Sequence, residues 1–356
     1  MKRMIPHSKP FIDSHDIRAV VEVLESGMLA GDKKVREFES ALAGCINRTH
    51  AAGTSNGTSA LYAVLSAIGV GDGDDVVIPS YVCSSLLYAV RMTGANPVIA
   101  DSGDDPFHID ADTVKKVLTP KVKVIIFPHL FGSANDIRDI TSLGIPVVED
   151  CALSLGSELN GVKTGNLGSS AAVFSFYATK VIAAGEGGMV VSDDKILIDR
   201  IRDLTEYADK PDNRMHFNFK MTDIAAALGL SQLQKLDSMI ERRRELAHRY
   251  SKALASTDLI LPVENRSEKN IFYRYVVRTE HVEKLRNLIR QRGVSTERPV
   301  HMPLSRYPGI SAVCPRAEEI WRTSLSIPLY PALSDKETEM VEDAVYSSIN
   351  EINEGD

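Results

Sequence analysis

Val122-Lys-Val-Ile-Ile-Phe127 and Ile145-Pro-Val-Val-Glu149 are two short apolar runs, each flanked by polar or turn-forming residues. Val76-Val-Ile-Pro79, Pro97-Val-Ile-Ala100 and Ala171-Ala-Val-Phe-Ser-Phe176 have the same character. Helical patterns near 57–69, 82–93, 110–118 and 136–143 lie between them. Strands this apolar, separated by helices, predict an α/β fold with a mostly parallel sheet between layers of helices. Ligands of such sheets sit beyond the carboxyl ends of the strands. Polar residues that directly follow a strand are therefore the first candidates for function.

Outward from this centre the pattern changes. From Thr222 to about Ala255 it becomes one long helical stretch. Residues 271–277 read as a strand, 280–292 as a helix ended by Gly293, and 335–352 as an amphipathic helix. This predicts a large domain over residues 1–250 and a smaller C-terminal α+β domain over 251–356. Internal repeats and low-complexity tracts are absent from the sequence.

The 356 residues carry a net charge of −7, with Lys and Arg scattered along the chain. The densest basic run, Arg242-Arg-Arg244, falls in a helical pattern and reads as a solvated face, so no nucleic-acid partner is expected. Cys45, Cys83, Cys151 and Cys314 are widely spaced, which signals neither a zinc nor a redox motif, and no metal is expected. No apolar core precedes Phe11 and no apolar run is long enough for a bilayer, so neither a signal peptide nor a membrane span is expected. The expected compartment is the cytoplasm.

Three features bear on chemistry. Asp150 directly follows a buried strand, where a carboxylate is costly unless it meets a cation or strong donor; helix capping is the ordinary alternative. Lys180 lies just beyond the apolar strand ending Ser175-Phe-Tyr177, with Gly185-Glu-Gly-Gly188 behind it; burial makes a lysine a better nucleophile, and a surface loop lysine is the alternative. Thr54-Ser-Asn-Gly-Thr-Ser59 follows a short strand and opens a helix. Free N–H groups and the helix dipole there suit a phosphate, as they also suit simple capping. Taken together, a phosphate cradle, an acid and a lysine at strand ends are the groups pyridoxal phosphate requires. A dinucleotide site is poorly supported, because Gly71-Asp-Gly73 lacks the remaining glycine of that fingerprint.

The sequence resembles the sugar aminotransferases of the DegT/StrS type, which have the aspartate-aminotransferase-like fold (fold type I). The matching stretches run in order along almost the whole chain. They include Asn56-Gly-Thr-Ser-Ala-Leu61, Val77-Ile-Pro-Ser80, Gly94-Ala-Asn-Pro-Val98, His129-Leu-Phe-Gly132, Glu149-Asp150, Ser175-Phe-Tyr-Ala-Thr-Lys180, Glu186-Gly-Gly-Met-Val190, Val300-His301 and Ser326-Ile-Pro-Leu-Tyr-Pro331. The resemblance implies that Lys180 forms the Schiff base and that Asp150 pairs with the pyridinium nitrogen. It implies that Gly57, Thr58, Ser59 and Ser175 hold the phosphate, and that Asn218 reaches the phosphate of a neighbouring subunit in a homodimer. The reaction implied is transfer of an amino group from glutamate or glutamine to a nucleotide-linked keto-sugar, or less often to a keto-cyclitol. His129, Tyr177, Glu186 and His301 are candidate substrate contacts.

Three positions depart from the family pattern. Leu153 stands where Gln or His usually contacts the ring hydroxyl, Cys83 where an aromatic residue usually stacks on the ring, and Lys220 where the pattern has Arg. Other reactions of the same cofactor, elimination or epimerisation, are the first alternative, and a cofactor-binding sensor without turnover is the second. Family members with dehydratase activity carry His in place of the lysine, and Lys180 argues against that role.

Overall fold

The computed structural model describes residues 4–355. Twelve strands are found among them. In chain order they are β1 (His50–Thr54), β2 (Asp75–Pro79), β3 (Asn96–Ala100), β4 (Val122–Pro128), β5 (Val147–Asp150), β6 (Glu158–Leu159), β7 (Val162–Lys163), β8 (Ala171–Ser175), β9 (Gly188–Ser192), β10 (Glu268–Lys269), β11 (Tyr275–Arg278) and β12 (Ser324–Ile327). Seven of these form the central sheet in the order β1-β9-β8-β5-β4-β2-β3. Only β9 runs against the others, because β8 and β1 both pair with it antiparallel. The strands at the middle of the sheet are buried on both faces, which is why they read as continuous apolar runs.

Helices cover both faces. Gly57–Ile68, Ser85–Met92 and Lys195–Thr205 pack on one side, while Lys33–Ile46 and Asp223–Gln234 pack on the other. Gly57–Ile68 starts where the Asn56 side chain accepts the Ser59 N–H and stops at Gly69, whose φ of +91° suits glycine. A second core gathers around the β11–β12 pair and the helices Val282–Gln291 and Asp335–Glu354. Ile5 joins this second core, where it bridges to Val294. Among the described residues no helix is long and apolar enough to cross a membrane.

Two expectations need correction. The long helical stretch is two helices, Asp223–Gln234 and Leu236–Ala253, broken at Lys235. The Lys235 N–H donates to Gln232 O in a tightened turn, and its ammonium is drawn out to Asp13 and Asp16 at 2.8 and 2.6 Å. The strand expected at 271–277 begins only at Tyr275, because Phe272 adopts a φ of +48° and Ile271 donates instead to Gly132 O.

Candidate active site

The carboxyl ends of β1, β4, β5 and β8 open into a cavity of about 700 Å³. One wall is the start of the helix Gly57–Ile68. Asn56 takes the Ser59 N–H, while the Gly57 and Thr58 N–H groups meet no acceptor among the described residues. Ser175, the last residue of β8, sits against this helix end. A Cβ on Gly57 would come within 2.9 Å of Ser175 Cβ, so the close approach requires glycine. Free N–H groups, the positive end of a helix dipole and the hydroxyls of Thr58, Ser59 and Ser175 thus line one end of the cavity. This is a cradle for a phosphate.

The other end is set by β5. Glu149 and Asp150 are neighbours on a strand and so point to opposite faces of the sheet. Glu149 is fully buried and accepts four hydrogen bonds: from His129 Nε2 at 2.9 Å, Gly165 N–H at 2.7 Å, Leu167 N–H at 3.1 Å and Ser169 Oγ at 2.5 Å. Burial alone would raise its pKa, but these donors outweigh burial and hold the carboxyl below its ordinary value. Asp150, 8% exposed, lines the cavity and has one donor, the Ala152 N–H at 3.0 Å. Burial raises its pKa, against the pull of that N–H and of the positive charge of Lys180. Its second carboxylate oxygen, Oδ2, has no donor among the described residues.

Lys180 lies in the loop that joins β8 to β9. Short bonds across the loop's base, from Phe176 N–H to Gly187 O at 2.9 Å and from Ala184 N–H to Phe176 O at 2.8 Å, hold it closed. The ammonium sits 5.8 Å from the centroid of the Tyr273 ring and has no carboxylate partner among the described residues. Tyr177, Glu186 and His301 are exposed on the same cavity wall, as are Cys83 and half-buried Leu153. Leu153 packs between two cores and brings no polar atom.

Two expected residues are placed differently. His129 belongs to the wall of the cavity but is fully buried: its Nε2 donates to Glu149 and its Nδ1 accepts the Asn135 N–H at 3.3 Å. With both nitrogens engaged inside the protein, it positions Glu149 and has none left for substrate. Asn218 is exposed and lies outside the wall of its own chain's cavity, although its neighbour Phe219 is part of that wall. His129, Glu149 and Cys151 also bring their ligand atoms within 4.8 Å of one another. Four donors already occupy the Glu149 oxygens, and burial drives the Cys151 thiol well above its ordinary pKa, so the thiol keeps its proton.

The sequence reading passed over Tyr273 and Arg274, which also line the cavity. The signal was a basic residue inside the apolar run Ile271-Phe-Tyr-Arg-Tyr-Val-Val277. Tyr273 is buried beside three cations. Burial would raise its phenol, but the charges of Lys180, Arg274 and Arg243 and the Thr179 hydroxyl bring it below its ordinary value.

The model of the DegT/DnrJ/EryC1/StrS aminotransferase family matches residues 10–346. The chain belongs to this family. It is 32% identical to the GDP-perosamine synthase of Escherichia coli O157:H7 over 354 residues, covering 94% of this chain and 96% of that protein. It is similar to the aminotransferase TlmJ of Streptoalloteichus hindustanus, with a TM-score of 0.93 and 29% identity over 98% of this chain and all of that one. It is also similar to DesV of S. venezuelae, solved in complex with a ketimine intermediate, with a TM-score of 0.89 and 31% identity over 96% and 98% of the two chains. The protein is accordingly a pyridoxal-phosphate-dependent sugar aminotransferase with an α/β fold of the aspartate-aminotransferase type. The residues present fit that cofactor: an acid one donor short, a cradle at a helix end and a lysine without an ion pair among the described residues occupy one cavity.

Proposed function

We propose that this aminotransferase moves an amino group from glutamate or glutamine to a nucleotide-linked keto-sugar, with Lys180 and Asp150 as its catalytic residues. When bound, pyridoxal phosphate supplies an electron sink for the pair of electrons released when a proton leaves the substrate carbon. Gly57, Thr58, Ser59 and Ser175 would hold its phosphate, and Cys83 and Leu153 would flank its ring. Asp150 would offer Oδ2 to the ring nitrogen and keep it protonated. Lys180 would supply the amine that holds the cofactor's aldehyde carbon. The same amine, when free, would be the base that carries the proton within the site.

The observation that carries this reading is Asp150, a buried carboxylate with a single donor in a cavity that also contains a lysine without a carboxylate partner. The exposed Asn218, outside its own cavity wall, supports a homodimer in which it completes the partner's phosphate site. Tyr177, Glu186 and His301 are proposed substrate contacts. The division into domains near residue 250 and a cytoplasmic location are part of the same proposal. Borohydride treatment of the cofactor-loaded protein, followed by peptide mapping, tests the central assignment. The reduced cofactor is expected on the peptide containing Lys180 and on none in Lys180→Ala; a label on a different lysine would refute it.

A further inference from the structure

The cavity described above has a neighbour. A second cavity of about 810 Å³ runs beside residues 260–278, and Leu130, Phe131 and Arg274 belong to the walls of both. Arg274 therefore sits on the ridge between them. Its guanidinium has no carboxylate partner among the described residues. Nη1 lies 3.1 Å from each ring nitrogen of His7, and the guanidinium carbon lies 5.3 Å from the Tyr273 ring centroid. His7 brings no compensating charge: burial and the charge of Arg274 push its pKa down to about 3, so the ring is neutral near pH 7.

Two further cations share its surroundings. Lys180 and Arg243 each lie 5.8 Å from the same Tyr273 ring. Arg243 is buried and directs Nη1 at the carbonyl oxygens of Tyr273 and Leu329, both at 3.1 Å. Arg274 is half-buried, as is Lys180, and of these three cations Arg274 alone borders both cavities. A guanidinium held between two cavities without an ion-pair partner among the described residues is matched by an anionic ligand, since its planar fork pairs with two oxygens of a carboxylate or phosphate.

The backbone holds this arginine in place. Its N–H donates to Phe131 O at 3.3 Å, and the Ile271 N–H donates to Gly132 O at 3.0 Å. Phe131 and Phe272 both occupy the left-handed region, at φ +60° and +48°, which residues with a side chain rarely adopt. A Cβ on Gly132 would come within 2.6 Å of Tyr273 N. Two unusual backbone segments thus cross at close range beside Arg274, the kind of strain that collects at ligand clamps.

We propose that Arg274 is a substrate-binding residue that anchors an oxyanion, a carboxylate or a phosphate, on the ridge between the two cavities. Which substrate carries the oxyanion rests on the aminotransferase reading. The amino donor brings carboxylates, and a nucleotide-linked sugar brings a diphosphate.

Calorimetric titration of the cofactor-loaded protein tests this, with 2-oxoglutarate as one probe and GDP and dTDP as the other, on wild type, Arg274→Gln and Arg274→Lys. Arg274→Gln is expected to weaken one probe class by roughly tenfold or more at unchanged Tm, with Arg274→Lys in between. A loss confined to 2-oxoglutarate assigns the donor's carboxylate, and one confined to the nucleotides assigns the phosphate. Equal binding by wild type and Arg274→Gln overturns the anchor and leaves the aminotransferase reading intact. A loss accompanied by a large fall in Tm marks Arg274 as structural and also overturns it. Wild-type protein that binds neither probe overturns it as well, and the borohydride label on Lys180 then decides separately whether the aminotransferase reading stands.

Discussion

Glu149 and Asp150 are consecutive carboxylates on one buried strand, and they titrate in opposite directions. Glu149 accepts from His129, Gly165, Leu167 and Ser169 and is held low; Asp150 accepts from Ala152 alone and is pushed up. Burial is nearly the same for both, so burial does not distinguish them. The number of donors does. A buried carboxylate whose oxygens are all satisfied is part of the framework, and one that lacks a donor is ready for a ligand that brings one.

The largest effect is expected where the framework acid is removed. Glu149→Ala leaves the N–H groups of Gly165 and Leu167, the His129 ring and the Ser169 hydroxyl unpaired inside the protein. Stability should fall by about 3–5 kcal/mol, read by equilibrium denaturation. A loss under about 1 kcal/mol would remove the contrast between the two acids.

The opposite pattern is expected at Asp150. Asp150→Asn should lower turnover by roughly a hundredfold or more while the protein stays folded, because charge aimed at the reacting group is lost. Near-normal turnover would break the assignment. The same variant sharpens the comparison through pH. A raised folded pKa means that the folded state binds the extra proton, so the wild-type cofactor-free protein loses stability as pH rises from the ordinary aspartate value through the raised one. The lowered Glu149 has the reverse sign: its contribution is present above the ordinary glutamate value and is lost as pH falls through the folded one. The stability advantage of cofactor-free Asp150→Asn over wild type should therefore grow as pH rises from the ordinary aspartate value, about 4, through the raised one. A constant difference across that range would show that Asp150 is not titrating as described.

The smallest effect is expected at Leu153, three residues beyond Asp150 and without a donor of its own. The family pattern puts a donor here for the cofactor's ring oxygen. Leu153→Gln should shift the pH midpoint of the bound cofactor's visible absorption downward, by about one unit at most, because a donor favours the charged oxygen. An unchanged midpoint in fully loaded variant protein would mean that the oxygen already has a donor.

Much of this was legible in the sequence. The central strands could be read because a parallel sheet covered on both faces needs unbroken apolar runs, and β2, β3, β4, β5 and β8 all have them. Strand β9, which no expectation covered, begins directly behind the glycines of the Lys180 loop, and its pairing with β1 and β8 is a long-range fact. The single long helix failed at Lys235, because periodicity in a window cannot register a lysine drawn away by Asp13 and Asp16, more than two hundred residues earlier.

By itself the sequence determined where the chemistry could lie. Asp150 and Lys180 lie at the ends of apolar strands, and Gly57 to Ser59 open a helix, so local pattern and the rule of carboxyl ends put them forward; Ser175 was named by the family resemblance. Only the tertiary structure decided which acid is framework and which is available. The donors to Glu149 come from Gly165, Leu167, Ser169 and His129, sixteen to twenty residues away in either direction. It also turned His129 inward and brought Arg274 to the cavity from beyond the long helices. Hydrogen-bond satisfaction and counter-charge depend on what folding brings within about 3 Å, and no local window of sequence contains that distance.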